Sequence, residues 1–308
     1  MNKTVLITGG GGFIGKPLTT ALLKRGYAVN HLSREPAKAT PGVKTFKWDL
    51  EAGTMDERAL ENVGVIIHLA GEGIIARPWS AGQKEKIIKS RTDSIKLIYK
   101  YIKEKPSHNV KTVLSASGVG YYGNRDNELL YEENQAGKDF MAETCILWEA
   151  AADEGMLLGI RVVKLRTGIV LSKKGGALTT LAFPVKIGLG AALGSGKQWA
   201  PWIHLKDMVN MYLFAIENEK LSGAYNASAP YPVTNKELTS AIARATKKRL
   251  WLPAVPAFAL RGILGEMSAV ILNSTRTSSE KIQAEGFEFL FEKLPEALQQ
   301  IYGKQNKS

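Results

Sequence analysis

The sequence predicts an α/β chain in which a doubly wound parallel sheet is followed by a smaller, mainly helical part. Short apolar runs alternate with helical patterns up to about residue 172, and glycine-rich and helical sequence then replaces that alternation. Strands are expected at Thr4–Thr8, Ala28–Ser33, Lys44–Trp48, Val63–Leu69, Thr112–Ala116 and Arg161–Leu165, with helices at about 14–25, 80–105 and 138–154. The first helix carries Ile14, Leu18, Ala21 and Leu22 on one stripe; the second sets Ile88, Ile95, Leu97, Ile98 and Ile102 among lysines. Right-handed crossovers wind such a sheet in both directions and leave ligands at the carboxyl ends of its strands. Further on, the glycine-rich stretch Gly175–Gly196 precedes a helix near 206–218 and a strand at Ala224–Ala227. Pro253 and Pro256 then open one helix, and Leu294–Ile301 forms another. The expected division is a first domain of residues 1–172, to which 204–228 return, and a smaller second domain of 173–203 and 229–308.

With 44% apolar and 23% charged residues, the chain of 308 residues has the make-up of a soluble globular protein. Its single cysteine, Cys145, excludes an intrachain disulfide and a multi-cysteine metal site, and no metal is expected. Val5–Ile7 is too short for the apolar core of a secretory signal, which points to the cytoplasm. The apolar stretch Leu252–Leu272 is interrupted by Arg261 and Glu266 and reads as buried or interfacial helix, so no membrane span is expected. The net charge of +12 raises the question of nucleic acid. Much of the excess lies in Lys84–Lys105 and in the tail Lys304–Lys307, and the lysines of the first segment fall where a solvated helix face would be. No nucleic-acid motif accompanies them, so nucleic acid is not expected as a partner.

The most telling stretch is Thr8-Gly9-Gly10-Gly11-Gly12-Phe13-Ile14-Gly15, between the first strand and the first helix. Gly9, Gly12 and Gly15 are spaced G-x-x-G-x-x-G. Glycine allows positive φ and lets backbone approach a pyrophosphate, while the helix start presents unpaired N–H groups. This is the signature of a Rossmann-type dinucleotide site, with Phe13 and Ile14 in the same turn. The second strand ends in Ser33-Arg34, where an acidic residue would otherwise hold a ribose 2′-hydroxyl. A serine and an arginine there suit a 2′-phosphate, so NADP(H) is preferred over NAD(H). Asp49-Leu50 after the third strand is placed for the adenine, and Leu69-Ala70-Gly71-Glu72 after the fourth for backbone contact with the cofactor. His68, inside an apolar strand end, reads as a packed histidine.

The segments TGGGGFIG (8–15), HLAGEGIIARPWS (68–80), SASGVGYYG (115–123), LRTGIVLS (165–172), GSGKQWAPWIHLKD (194–207) and LPAVPAFALRGILGEM (252–267) run along almost the whole chain. Together they resemble an atypical extended short-chain dehydrogenase/reductase of the NAD-dependent epimerase/dehydratase type. The resemblance is closest to the "epimerase family" (cell-division-inhibitor-like) subgroup, which has its own C-terminal extension. It implies a serine at the end of the fifth long strand and a Tyr-x-x-x-Lys dyad on the next helix, in which lysine and the cofactor's charge lower the tyrosine's pKa for proton exchange. Ser117 holds the serine position. By register, Met141 and Cys145 stand where tyrosine and lysine are expected, so the dyad is absent. Methionine transfers no proton, and Cys145 reads as a small buried residue. Tyr121 and Tyr122, just after Ser117, become the candidate proton donors, with Glu72 and His204 as other sources of an acid.

Arg91, Arg166 and Trp202 are the candidate substrate contacts: two guanidinium groups for an anionic end, and an aromatic plane for stacking. Two readings stay open. One is an NADP(H)-binding oxidoreductase or epimerase-like enzyme for an unknown small polar substrate, sugar-like or anionic. The other is a non-catalytic NADP(H)-binding redox sensor or scaffold. Fold analogy suggests a homodimer formed through two helices flanking the sheet.

Overall fold

The computed structural model describes residues 3–36, 40–105 and 108–303. The basic tail Lys304–Lys307 lies outside the described residues. The described residues divide into two units: those within 1–117, 143–165 and 209–224, and those within 118–142, 166–208 and 225–308.

The first unit is organised by strands β1 (Thr4–Thr8), β2 (Ala28–Ser33), β3 (Val43–Asp49), β4 (Thr54–Met55), β5 (Val63–His68) and β6 (Thr112–Gly118). With the strands Arg161–Thr167 and Gly223–Ala227 they form one eight-stranded sheet, in the order Gly223–Ala227, Arg161–Thr167, β6, β5, β1, β2, β3, β4. The sheet class is as predicted. β1 pairs in parallel with β2 and with β5, β2 with β3, and β5 with β6, whereas the short β4 turns back antiparallel on β3. The chain leaves β1 toward β2 and returns on the other side of β1 as β5. The order of the sheet therefore reverses between β1 and β5, the switch point where α/β sheets take ligands. Every residue of β5 is buried, as expected for a parallel strand covered on both faces.

Helix α1 (Gly15–Lys24) buries Leu18 and Leu22; α2 (Ala81–Lys103) starts at Ser80, whose side chain accepts from Gln83 N–H, and buries Ile87, Ile95 and Ile98. The lysines of α2 are solvated as the periodicity suggested: Lys86, Lys89, Lys96, Lys100 and Lys103 are exposed. Lys89 pairs with Glu85, and Lys96 with Glu154. Helix α3 (Phe140–Asp153) bears Met141, Cys145 and Glu149 at four-residue intervals, hence along one face. The core under the sheet gathers Leu6, Ile66, Val113, Ile95, Ile98 and Val162.

The second unit has its own core of Trp202, Leu238, Ile242, Leu294 and Leu298. Segment 118–142, placed in the first domain by the sequence reading, is tied within this unit. Its Leu129–Leu130 strand pairs with Arg276–Thr277, and Arg125 N–H donates to the Ser274 carbonyl. Among the described residues no helix is long and apolar enough to cross a membrane, and no group of three or more His, Cys, Asp or Glu side chains is placed to hold a metal.

Candidate functional site

The glycine turn is shaped by close contact at three of its four consecutive glycines and at Gly15. Gly9 has φ of 69°, its carbonyl accepts from Gly12 N–H at 2.9 Å, and a Cβ there would press on the Leu69 carbonyl at 3.0 Å. Gly15 faces back into the turn: a methyl on it would sit 2.7 Å from Gly10 Cα and nearer still to the Gly9 carbonyl oxygen. A Cβ on Gly12 would also reach that oxygen, at 3.0 Å. The periodic motif did not single out Gly10, yet Gly10 leaves as little room as Gly15, since its Cβ would overlap the imidazole of His31. His31 is buried on β2, bonded to Thr19 Oγ1 at 2.9 Å, and held neutral by burial with its pKa lowered to about 4. Gly11 has nothing within 4 Å of its Cβ position. Phe13 and Ile14 are half-buried, and α1 begins with no side-chain cap; Lys16 N–H turns back to the Gly12 carbonyl at 3.1 Å, and Pro17 carries no N–H.

Thr8 joins this turn to the end of β5. Its buried Oγ1 accepts from Leu69 N–H at 3.1 Å and Ala70 N–H at 3.0 Å. The next residues are held by α2: Glu72 N–H donates to Ser90 Oγ, and Arg91 Nη2 donates to the Glu72 carbonyl at 3.0 Å. A Cβ on Gly71 would lie 2.9 Å from the Arg91 guanidinium carbon. Arg91 was expected to meet substrate, and the structure gives it another task. It is 7% exposed, donates to the Ile87 carbonyl, and lies 4.9 Å from the Trp148 ring centroid, with burial lowering its pKa to about 10. It fastens the 71–72 loop to α2 and α3.

At the other cofactor positions, Ser33 is half-buried and Arg34 exposed at the end of β2. Asp49 Oδ1 accepts from Glu51 and Ala52 N–H, which commits that carboxylate to the turn after β3, and Leu50 packs on the core.

His68 is packed, as read from the sequence. Its Nδ1 lies 3.1 Å from Ser115 Oγ and 3.4 Å from Trp148 Nε1, and its Nε2 lies 2.7 Å from Ser94 Oγ. Burial, with Arg91 nearby, lowers its pKa to about 3. On the neighbouring strand Ser117, 4% exposed, donates its hydroxyl to Glu149 Oε1 at 2.7 Å; Glu149 is 6% exposed. No part of the sequence reading paired these two. The signal was available, because Glu149 continues the Met141–Cys145 face by one more turn and is an acid on the buried side of an apolar helix. Cys145 is buried, at 1% exposure.

Tyr121, Tyr122, Arg166 and Trp202 belong to the second unit. Trp202 is a correction: it is fully buried in that unit's core, its Nε1–H donating to the Tyr231 carbonyl, and it offers no face to a substrate. Tyr122 is unsuited to proton exchange. It is fully buried, it donates to Asn226 Oδ1 at 2.7 Å while accepting from Arg166, and burial pushes its pKa to about 12. Arg166 is 3% exposed and is held by protein, bonding Tyr122 and the Glu132 carbonyl and lying 3.4 Å from the Tyr121 ring centroid. Tyr121 stays half-buried over this guanidinium. His204 lies against Phe291, bonds Gln300, and is lowered to about 4 mainly by burial, so it too is structural.

Comparison with known proteins agrees with this geometry. Residues 5–228 match the family described as the NAD dependent epimerase/dehydratase family, and residues 255–301 match a domain of unknown function, DUF1731. The epimerase family protein YfhF of Bacillus subtilis is 36% identical over 301 residues, covering 96% of this chain and 97% of that protein. The crystal structure of the human epimerase family protein SDR39U1 (isoform 2) with NADPH superposes with a TM-score of 0.85 at 30% identity, covering 98% of this chain and 100% of that one. The Thermus thermophilus UDP-glucose 4-epimerase complex with NAD shares the fold, with a TM-score of 0.74 at 21% identity over 98% of this chain and 100% of that one. With a switch-point glycine turn and a family match over most of its length, the chain belongs to the NAD dependent epimerase/dehydratase family and carries the DUF1731 extension.

Proposed function

We propose that this protein binds NADP(H) at the switch point of its sheet and exchanges hydride with a small polar substrate bearing a carbinol or carbonyl group. The observation that carries the reading is the glycine turn at the switch point: Gly9, Gly10, Gly12 and Gly15 pack so closely on Leu69, His31 and the turn's own backbone that none has room for a side chain, while Gly11 faces open space. Leu69, Ala70 and Gly71 would line the cofactor, and Ser33 and Arg34 would take its 2′-phosphate. The NADPH in the human relative's crystal structure supports that preference. Bound there, the nicotinamide supplies a hydride donor and acceptor. Ser117 orients the substrate oxygen. Arg91 acts behind the site, holding the loop that carries Gly71 and Glu72.

A second reading, a redox sensor without turnover, draws on Met141 and Cys145 at the dyad positions. Hydride transfer is followed as oxidation of bound NADPH in a single turnover against a panel of carbonyls and nucleotide-sugars. Oxidation supports the enzyme, and tight binding without oxidation supports the sensor. Arg34→Ala tests the cofactor preference. Loss of a charge-assisted phosphate contact weakens NADPH roughly ten- to a hundred-fold, and NADH affinity stays near that of the wild type. Equal losses for both cofactors, measured by fluorescence titration, would remove the 2′-phosphate assignment.

A further inference from the structure

We infer that Ser117 and Glu149 form a two-residue proton relay that does the work of the missing tyrosine and lysine, with Glu149 as the proton store behind the serine. The inference rests on the hydride-transfer reading above and names its proton pathway.

The Ser117 hydroxyl donates to Glu149 Oε1, 2.7 Å away. A serine that merely orients a carbinol would be free to donate to the substrate. Here the donor is committed, so Ser117 meets a substrate hydroxyl as an acceptor. An acceptor whose own proton already points at a carboxylate is arranged for transfer. When the substrate is oxidised, its O–H proton moves to Ser117 Oγ while the serine's proton moves to Glu149 Oε1. The carbinol C–H electron pair leaves as hydride for the oxidised nicotinamide, and the C–O bond becomes C=O. One hydride and one proton leave the substrate, Glu149 ends protonated, and Ser117 is unchanged. In reduction each transfer runs backward, with Glu149 supplying the proton.

The placement on α3 fits this role. Met141, in the register of the tyrosine, has no exchangeable proton, and one turn on Cys145 holds the register of the lysine. Glu149, a further turn along the same face, brings a carboxyl group to Ser117. Both partners of the pair are almost wholly enclosed, so bulk water does not short-circuit the transfer. Of the other groups, Tyr122 is raised to about 12 and His68 and His204 are lowered to about 3 and 4.

The test uses the full-length protein with NADPH and p-nitrobenzaldehyde as the carbonyl probe, together with Glu149→Gln, Glu149→Asp and Ser117→Ala. Each variant is first checked for folding by circular dichroism and for NADPH binding by fluorescence. Glu149→Gln is expected to bind NADPH as the wild type does, while its single-turnover hydride transfer falls about a hundred-fold or more and loses its pH dependence. Glu149→Asp, which keeps a proton-exchanging group, recovers part of the rate with a displaced pH profile. A readout independent of turnover is the infrared band of the Glu149 carboxyl, identified by its loss in Glu149→Gln. Its frequency should move when Ser117→Ala removes the hydrogen-bond donor. A wild-type rate and pH profile in Glu149→Gln overturns the relay and leaves the hydride reading standing. Wild-type protein that binds NADPH and reduces no probe overturns both. An unmoved band overturns the coupling of the pair.

Discussion

Replacing Gly15 with alanine is expected to abolish measurable NADPH binding and to lower stability by about 3 kcal/mol, at the upper end of the range for overpacking. The added methyl has no room, lying 2.7 Å from Gly10 Cα and closer to the Gly9 carbonyl oxygen. Its neighbours are backbone atoms that cannot rotate away. Relief requires α1 to move off the end of β1, and the first-turn N–H groups move with it. Gly11→Ala is the matched control. Nothing lies within 4 Å of its Cβ position, so stability should stay within about 0.5 kcal/mol of the wild type, as for exposed substitutions elsewhere. Any loss of affinity in Gly11→Ala then reports crowding of the bound molecule itself. Urea unfolding and calorimetric titration with NADPH measure both quantities. Wild-type affinity in Gly15→Ala would mean that the turn is not the pyrophosphate site.

The second large effect is an acid destabilisation centred on His68. In the folded protein its pKa is lowered to about 3, by burial first and the Arg91 charge second; unfolded, it titrates near 6.5. A depressed folded pKa contributes stability that is whole above the unfolded value and lost as pH falls toward the folded one. Between pH 7 and pH 5 the loss from this residue is about 2 kcal/mol. His31 and His204, each lowered to about 4, act in the same direction. Asp207 opposes them. Its pKa is raised to about 6 by burial, against the backbone N–H groups of Leu290 and Phe291 that favour its ionised form, so its contribution fades as pH rises through that value. Urea midpoints measured across this range give the slope for the wild type and for His68→Gln. The variant should lack about 2 kcal/mol of the dependence whatever its absolute stability, and equal slopes would show that His68 is not held neutral.

Much of the first unit was legible because its signals are local. Val63–Leu69 reads as a covered parallel strand from its unbroken apolar run, and Gly9, Gly12 and Gly15 announce themselves by spacing. The departures at Met141 and Cys145 were legible as well, since a register needs only a count of residues. What stayed hidden depends on pairs far apart in the chain. The need for glycine at position 10 comes from His31 on the next strand, the task of Arg91 from a carbonyl nineteen residues away, and the partner of Ser117 from a helix thirty-two residues on. Trp202 was misjudged for the opposite reason. An aromatic among Pro201, His204 and Lys206 looks like a ligand platform, and only the closing of the second core over it reveals that it has no free face.

The contact between Gly10 and His31 also sets the order in which the turn can change. An imidazole occupies the volume that a side chain at position 10 would need, so alanine at 10 on the present background is barred by the ring beneath it. The ring can be lost first, for a smaller residue such as serine, at the cost of the Thr19 bond and of the packing of a buried ring. Only on that second background does alanine at 10 become tolerable. The two substitutions are thus permitted in one sequence and forbidden in the other, and a history of this turn rebuilt from single changes would pass through position 31 before it reached position 10.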